Sequence, residues 1–237
     1  MPIADRCRAT PEPLFQVQCA RPWLVARFAA PQRMVSWSIT RPGFTTADQV
    51  AWLEVRNRDL SADLDVPAWF RDRLESEGLG AAVGLLTSRN VTHHHLATCQ
   101  VEGITATCLV TLGLNNGERV GHRFSPEAAK RLTAGTVNML AAVDVPLTEA
   151  ALLEASSIVV QARTRAILEA DFRREGADEP VSGTGTDCVV MSAPAAGEPA
   201  PYAGLHTAVG EALGAAALAA TREAAAVWLA DPARLVF

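Results

Sequence analysis

The segment "GTVNMLAAVDVPLTEA", from Gly135 to Ala150, combines a strand signal and a helix signal in direct succession. Its first part is apolar on both faces, which is typical of a strand buried in the centre of a sheet. Pro146 and Thr148 then lead into a long helical pattern, because apolar residues recur at spacings of three and four. A central strand followed by such a helix predicts a sheet covered by helices. The residues that share the helix face are Leu152, Ala155, Val159, Ala162, Ala166 and Ala170.

The N-terminal third is predicted to form a β meander. The runs "LFQVQC", "WLVARFA" and "MVSWSI" are rich in aromatic and β-branched residues and are separated by Pro22 and Pro31. A helix is then predicted to begin at Asp65 and Pro67 and to end at Gly78.

Further strands are predicted for "AAVGLLTS" and "ITATCLVTLGL", and "NNG" at 115–117 is a strong turn signal. An alanine-rich helix is expected from about Thr207 to Leu229. No fixed-period repeat and no interdomain linker is visible. We therefore predict one α+β domain over residues 1–237, with a mixed β-sheet, an N-terminal β meander and long helices packed on the sheet.

Composition excludes several classes of function. The net charge of the 237 residues is −5, and the basic residues are scattered, which argues against nucleic acid as a partner. No apolar stretch is expected to reach the roughly 20 residues that cross a bilayer, and the first residues lack the apolar centre of a secretion signal. The five cysteines form no close pair, so we expect reduced thiols in a cytoplasmic protein. They are Cys7, Cys19, Cys99, Cys108 and Cys188.

The glycine segment "VSGTGTDCVV", 181–190, is the first candidate site. Backbone N–H groups between Gly183 and Asp187 could hold a phosphate or the oxyanion of an acyl-transfer intermediate. The segment is not a Walker loop, because no Gly-Lys-Ser/Thr follows, and it is not a Rossmann fingerprint, because it precedes a strand. A simple turn into a strand is the alternative interpretation.

His206, at the start of the final helix, is the second candidate. Gly210 and Gly214 follow it on the same helical face. Because a glycine inside a helix costs about 1 kcal/mol relative to alanine, two of them suggest that a bulky group approaches closely. Close packing of the helix on the sheet is the alternative.

The run "THHH" is a weaker signal. If it lies on a strand, His93 and His95 share one face and could bind zinc with a third ligand. No accompanying ligand pattern is present, so a histidine-lined surface strand is favoured. Cys188, in an apolar strand without a basic neighbour, is interpreted as an inert buried thiol.

Five blocks in order resemble the adenosylcobinamide amidohydrolase family of corrinoid salvage. They are "VGLLTSRN", "TATCLVTLGLNNGERVG", "GTVNMLAAVDVPLTEAALLEA", "SGTGTDCVV" and "YAGLHTAVGEALGAA". The resemblance implies hydrolysis of the amide that joins a corrin side chain to aminopropanol, giving adenosylcobyric acid. It implies no cofactor, since cobalt enters as part of the substrate. The triple histidine is not a feature of the family's pattern.

Amide hydrolysis requires an activated water or nucleophile, a site for the oxyanion and a proton for the departing amine. We assign the first and third tasks to His206, oriented by Asp187 or Glu211. Thr186 or Thr184 is the candidate nucleophile, with direct attack by water equally open. Tyr202 would bind a corrin amide or act as the acid, and the Asn pair would bind peripheral amides unless it only forms a turn. The predicted substrate-binding set is Gly183, Thr184, Gly185, Tyr202, Gly204, Thr207, Asn115, Asn116 and Ser88.

Alternatives remain at this stage. A histidine of the 93–95 run, or His122, could coordinate the cobalt of the substrate. The chain could also bind corrinoids without hydrolysing them, or use the Gly183–Thr186 turn as a phosphate- or nucleotide-dependent enzyme. The expected partner is a small-molecule corrinoid, with no nucleic acid, no membrane and no protein-bound metal. A homodimer is compatible with the sequence.

Overall fold

A computed structural model describes residues 11–56, 59–60, 63–122 and 135–232. The elements in chain order are β1 Gln16–Ala20, β2 Trp23–Ser36, β3 Gly43–Glu54, α1 Val66–Ser76, β4 Val83–Thr87, β5 His94–Val101, β6 Ile104–Leu112, β7 Gly117–Glu118, β8 Val137–Val143, α2 Glu149–Glu169, β9 Gly183–Thr184, β10 Cys188–Pro194 and α3 Ala208–Ala230.

One mixed sheet of eight strands organises the fold. Its order is β4-β3-β2-β10-β8-β6-β5, and β1 pairs with β2 beside β10. The pairs β8–β10 and β3–β4 are parallel, whereas the other pairs of this sheet are antiparallel. The short strands β7 and β9 form a separate antiparallel ribbon. The predicted α+β fold with a mixed sheet and packed helices is therefore confirmed.

The sheet is strongly curled. Asn138 Nδ2 on β8 donates a hydrogen bond of 2.6 Å to the carbonyl of Leu86 on β4, although three strands separate β8 from β4 in the sheet. Apolar side chains of β2, β3, β4, β6, β8 and β10 fill the concave face, with Trp52, Leu109 and Leu140 fully buried there. The helices α2 and α3 cover one half of the convex face, and α1 covers the other half. One end of the curl stays open and forms its mouth.

Each helix begins where its capping residue predicts. The Asp65 side chain accepts a hydrogen bond from Ala68 N, and Thr148 and Thr207 cap α2 and α3 in the same way. Gly78, with φ of +69°, follows α1 and adopts a conformation that few other residues tolerate. The predicted helix boundaries are confirmed to within two residues.

The predicted meander differs in one respect from the structure. The two runs on either side of Pro31 form the single long strand β2, and Pro31 lies at a register irregularity between Arg27 and Gln32. A proline is tolerated there because a bulge does not require its missing N–H group. One edge of β2 pairs with β1 before the irregularity and with β10 after it. No strand is predicted for β3, because its first half is polar.

The helix α3 is more apolar than expected. It has 23 residues, and an 18-residue stretch within it reaches a mean hydropathy of 1.2, so by length and composition it could cross a membrane, contrary to the expectation that no stretch does. However, 56% of this stretch is buried inside the fold, where α3 packs on β5, β6 and α2. The core helix of a globular protein can have the same length and hydropathy as a membrane-spanning helix, and the burial of α3 agrees with a core helix.

We predict that Asn138→Ala lowers the free energy of unfolding by about 2 kcal/mol, because it removes a buried hydrogen bond that holds the curl closed. Ser192→Ala is the matched control: this buried hydroxyl makes only a 3.4 Å contact to the adjacent strand, and its loss should cost under about 1 kcal/mol. Denaturant unfolding measures both. Equal losses would show that the β8–β4 bond does not stabilise the curl.

Candidate functional site

A cavity of about 470 Å³ opens at the mouth of the curled sheet. We refer to it as the mouth cavity. Its walls come from the ends of β2, β3 and β4 and from the residues that enter β8 and β10. The starts of β8 and β10 lie together because these strands are parallel and in register from Asn138 and Cys188. Ser88, Asn116, Gly185, Thr186 and Asp187 from the predicted site all line this cavity.

Asp187 anchors the glycine segment. Its side chain is 7% exposed and forms an ion pair of 3.2 Å with Arg163 on α2. The same carboxylate accepts hydrogen bonds from Val137 N at 2.9 Å, from Thr184 N at 3.0 Å and from Thr184 Oγ1. Both oxygens are thus engaged with the turn, β8 and α2. The carboxylate therefore fixes the turn against β8 and α2 and makes no contact with His206.

The two glycines of the turn have different surroundings. A Cβ at Gly183 would lie 2.6 Å from Asp187 Oδ2, so this position must stay without a side chain for the carboxylate to fit. A Cβ at Gly185 would meet nothing within 4 Å. Gly183 is therefore required by packing, whereas Gly185 leaves open backbone beside the mouth cavity.

Hydroxyl and amide groups line the cavity beside the turn. Thr186 Oγ1 donates to the carbonyl of Gly135 at 3.1 Å, and Thr136 Oγ1 donates to the carbonyl of Thr186 at 2.9 Å. These two bonds fasten the turn to the start of β8. Ser88 is 9% exposed, and no hydrogen bond joins its hydroxyl to a described residue.

Asn116 carries an unpaired buried oxygen. Its Oδ1 has no hydrogen-bond partner among the described residues and lies 2.7 Å from where a Cβ at Gly135 would stand. The β7–β9 ribbon brings this turn to the glycine segment, since Gly117 pairs with Thr184. A buried carbonyl oxygen without a donor is unfavourable unless a ligand or water supplies one. Asn115 is on the same turn but does not line the cavity.

Cys188 has the properties of an inert thiol. Its pKa is raised to about 12, chiefly by burial; the charge of Asp187 adds to the rise, and a hydrogen bond from the Trp37 backbone opposes it. Because a thiol with this pKa is protonated at neutral pH, it is a poor nucleophile. The prediction that Cys188 is a buried thiol is confirmed. No disulfide joins the described cysteines, and Cys7 lies outside the described residues.

His206 lies at the other end of the sheet from the glycine turn. The seven residues of β10 lead away from the mouth, a distance of about 20 Å, before the chain reaches α3. Tyr202 and His206 are exposed, and Gly204 packs against Glu154, whose Oε1 a Cβ would meet at 2.6 Å. The structure therefore does not bring His206 to Asp187, and the predicted pair is not formed.

Close packing explains the glycines at the start of α3. A Cβ at Gly210 would lie 2.2 Å from the carbonyl oxygen of Gly204, and one at Gly214 would lie 3.5 Å from Ile158 on α2. Thr207 Oγ1 accepts from Gly210 N and donates to the Gly204 carbonyl, which is the capping role. Glu211, in the first turn, is exposed. The bulky group that approaches these glycines is the protein itself.

The histidine run joins β5 to α3. Only His94 and His95 belong to β5, so His93 does not share a strand face with His95 as predicted. His95 Nδ1 lies 3.3 Å from Glu223, and His93 Nδ1 lies 3.8 Å from Asp231.

Asp231 also pairs with the buried Arg89, at 2.6 Å. Burial, with Arg89 adding to it, lowers the pKa of His93, while Asp231 opposes the shift. No three His, Cys, Asp or Glu side chains among the described residues are close enough to hold a metal ion. His122 is exposed and faces Arg119 in a short bridge.

The family model for adenosylcobinamide amidohydrolase matches residues 9–233. The chain belongs to this family. An adenosylcobinamide amidohydrolase of Halobacterium salinarum is 33% identical over 161 residues. That alignment covers 65% of this chain and 62% of the relative, so the chain spans less than two thirds of the relative's length. The resemblance inferred from the five blocks is therefore confirmed.

Two solved structures resemble the family member described here. One is a Pyrococcus horikoshii protein, with a TM-score of 0.41, 13% identity and coverage of 86% of this chain and 76% of its own. The other is the L-aminopeptidase D-Ala-esterase/amidase of Ochrobactrum anthropi, with a TM-score of 0.39, 13% identity and coverage of 89% and 82%. At these TM-scores and identities, neither structure is used to assign residues or a reaction to this chain.

Sequence reasoning missed much of the cavity wall, including Trp37, Ile39, Arg56, Thr136 and Asn138. Thr136 and Asn138 had a usable signal, because two polar residues interrupt an otherwise apolar central strand and buried polar groups need partners. Trp37 and Arg56 had none. The pairing of β2 with β10 brings Trp37 to the mouth and the curl brings the end of β3 there, and neither is visible in the local sequence.

We predict that Gly183→Ala lowers the free energy of unfolding by about 2 kcal/mol, because the new Cβ would displace a carboxylate held by four contacts. Gly185→Ala, two residues away in open space, should change it by less than about 0.5 kcal/mol. Urea unfolding of both variants gives the comparison. A Gly183→Ala protein as stable as wild type would mean that Asp187 is not fixed as described.

Proposed function

We propose that the protein hydrolyses the amide between the corrin side chain and aminopropanol in adenosylcobinamide. Water adds across the C–N bond, so that the corrin keeps a carboxyl group, as adenosylcobyric acid, and aminopropanol leaves as the amine. Membership of the adenosylcobinamide amidohydrolase family, over residues 9–233, carries this proposal. In this role the enzyme serves cobamide salvage, and cobalt belongs to its substrate.

We place the reaction in the mouth cavity. The cavity gathers three groups that a substrate amide could engage: the Ser88 hydroxyl, the buried Oδ1 of Asn116 and the open backbone at Gly185. The start of α3, by contrast, presents His206 and Tyr202 to solvent, and packing already accounts for the glycines there. A concave site is favoured over an exposed one because partial exclusion of water strengthens each hydrogen bond to the reacting amide.

The described wall supplies hydrogen bonds to the amide. Ser88 Oγ and the backbone N–H of Gly185 would donate to the carbonyl oxygen as negative charge develops on it. Asn116 Oδ1 would accept from the amide N–H or from the hydroxyl of aminopropanol, which gives the buried oxygen its missing donor. Removing these groups should therefore impair turnover or the recognition of the aminopropanol arm.

Direct attack by water fits this wall better than attack by Thr186. The Thr186 hydroxyl donates its proton to the carbonyl of Gly135, and a carbonyl cannot serve as a base. Asp187 is unsuited as the base, because its two oxygens already hold four contacts. The described part of the cavity thus binds and polarises the amide.

The first test is turnover. Purified protein treated with a chelator should convert adenosylcobinamide into adenosylcobyric acid and aminopropanol in a one-to-one ratio, measured by mass spectrometry. Water labelled with ¹⁸O should place one label in the new carboxyl group, because water supplies that oxygen. Binding of adenosylcobinamide without either product would instead identify a corrinoid-binding protein.

Ser88→Ala should lower kcat by about 100-fold, since one donor to the developing oxyanion is typically worth this much. Ser76→Ala is the matched control, because Ser76 is exposed in the last turn of α1 and does not line the mouth cavity. Steady-state kinetics with adenosylcobinamide measures both variants. Normal kcat in Ser88→Ala would remove Ser88 from the reaction.

A further inference from the structure

The mouth cavity is too small for the whole substrate. Drug-sized ligands occupy pockets of about 300–1,000 Å³, and adenosylcobinamide, with its corrin ring, peripheral amides and adenosyl group, is much larger. A cavity of about 470 Å³ accommodates the aminopropanol arm and its amide but not the ring. The ring must therefore remain outside while the arm reaches the polar groups within.

Two large apolar side chains stand at the cavity where the ring would lie. Trp37 is 48% exposed and Ile39 is 45% exposed, and both follow β2 and line the mouth cavity. We call these two residues the apolar rim. Exposed apolar residues at the rim of a largely apolar cavity are characteristic of ligand sites, where a few polar groups orient a ligand and apolar contacts bury its surface.

The position of Trp37 is fixed by the site itself. Its indole Nε1 donates a hydrogen bond to the backbone carbonyl of Asp187, the residue that anchors the glycine turn. An exposed aromatic ring that is already held in place loses little conformational freedom when a ligand packs on it. The apolar rim is thus ordered by the same turn that lies beside the scissile amide.

We propose that one face of the corrin ring packs on Trp37 and Ile39 while the aminopropanol arm enters the mouth cavity. This assignment rests on the proposed function and deepens it, because it divides the substrate between two sets of residues. The apolar rim recognises the ring, and Ser88, Asn116 and Gly185 recognise the arm. The rim contacts are the same before and during the reaction, so they should affect substrate affinity more than kcat.

The division makes a sharp prediction about two ligands. Adenosylcobyric acid keeps the ring and lacks the arm, so it should depend on the apolar rim as strongly as adenosylcobinamide does. Ile39→Ser should weaken the binding of both compounds by a similar factor of roughly five- to tenfold. Asn116→Ala, in contrast, should weaken adenosylcobinamide more than adenosylcobyric acid.

Equilibrium dialysis of the corrinoids, followed by their visible absorption, measures these affinities without relying on turnover. Trp37→Phe keeps an aromatic ring but loses the hydrogen bond to Asp187, and Trp37→Ala loses both. Trp37→Phe should therefore retain more affinity than Trp37→Ala. Leu205→Ser is the matched control, because Leu205 is 71% exposed at the start of α3, away from the mouth.

The outcomes separate this proposal from the proposed function. Wild-type turnover with unchanged affinity in Ile39→Ser and Trp37→Ala would overturn the apolar rim and leave the hydrolase intact. Corrinoid binding that depends on Trp37 and Ile39, without any turnover, would support the apolar rim as the ring site and contradict the proposed hydrolysis. Equal loss of affinity in Leu205→Ser and Ile39→Ser would also contradict binding of the ring at the apolar rim, because the effect would then not be specific to the residues of the mouth.

Discussion

The buried carboxylate of Asp187 holds the candidate site together. Its side chain joins the glycine turn to β8 and to Arg163 of α2, and its backbone carbonyl accepts from the Trp37 indole. A buried charge is tolerated only when partners replace the lost water, and here four contacts do so. Removing this group would leave Arg163 without its counter-charge and would release both the turn and Trp37. The contacts of the aspartate in "GTGTD" therefore fix the geometry of the turn.

The curl of the sheet is what creates a cavity for this turn to line. Parallel pairing in register brings the starts of β8 and β10 side by side, and the bond from Asn138 to Leu86 draws β4 across the concave face. The irregularity at Pro31 allows β2 to exchange one partner strand for another, so that its end reaches the mouth with Trp37. Distant parts of the chain thus meet at one opening.

Local signals in the sequence predicted most elements, and capping residues predicted the helix starts, because both depend on neighbours within a few positions. The glycine turn, Ser88 and Asn116 were also found, since each lies beside a recognisable strand or turn. The pairing of His206 with Asp187 failed because chain order does not reveal that β10 carries the two to opposite ends of the sheet. Trp37 escaped detection for the converse reason, since only the long-range pairing of β2 with β10 brings it to the turn. Polar residues inside an apolar strand, such as Thr136 and Asn138, were the available clue to the mouth.

The central claim is that the amide reacts at the mouth of the curled sheet and not at the start of α3. The most direct test is the kcat/KM of His206→Ala with adenosylcobinamide as substrate. Because His206 is exposed at the opposite end of β10, we predict a value within about twofold of wild type. A loss of about 100-fold or more, with the fold and the corrinoid affinity unchanged, would contradict the account and place the catalytic group beside α3.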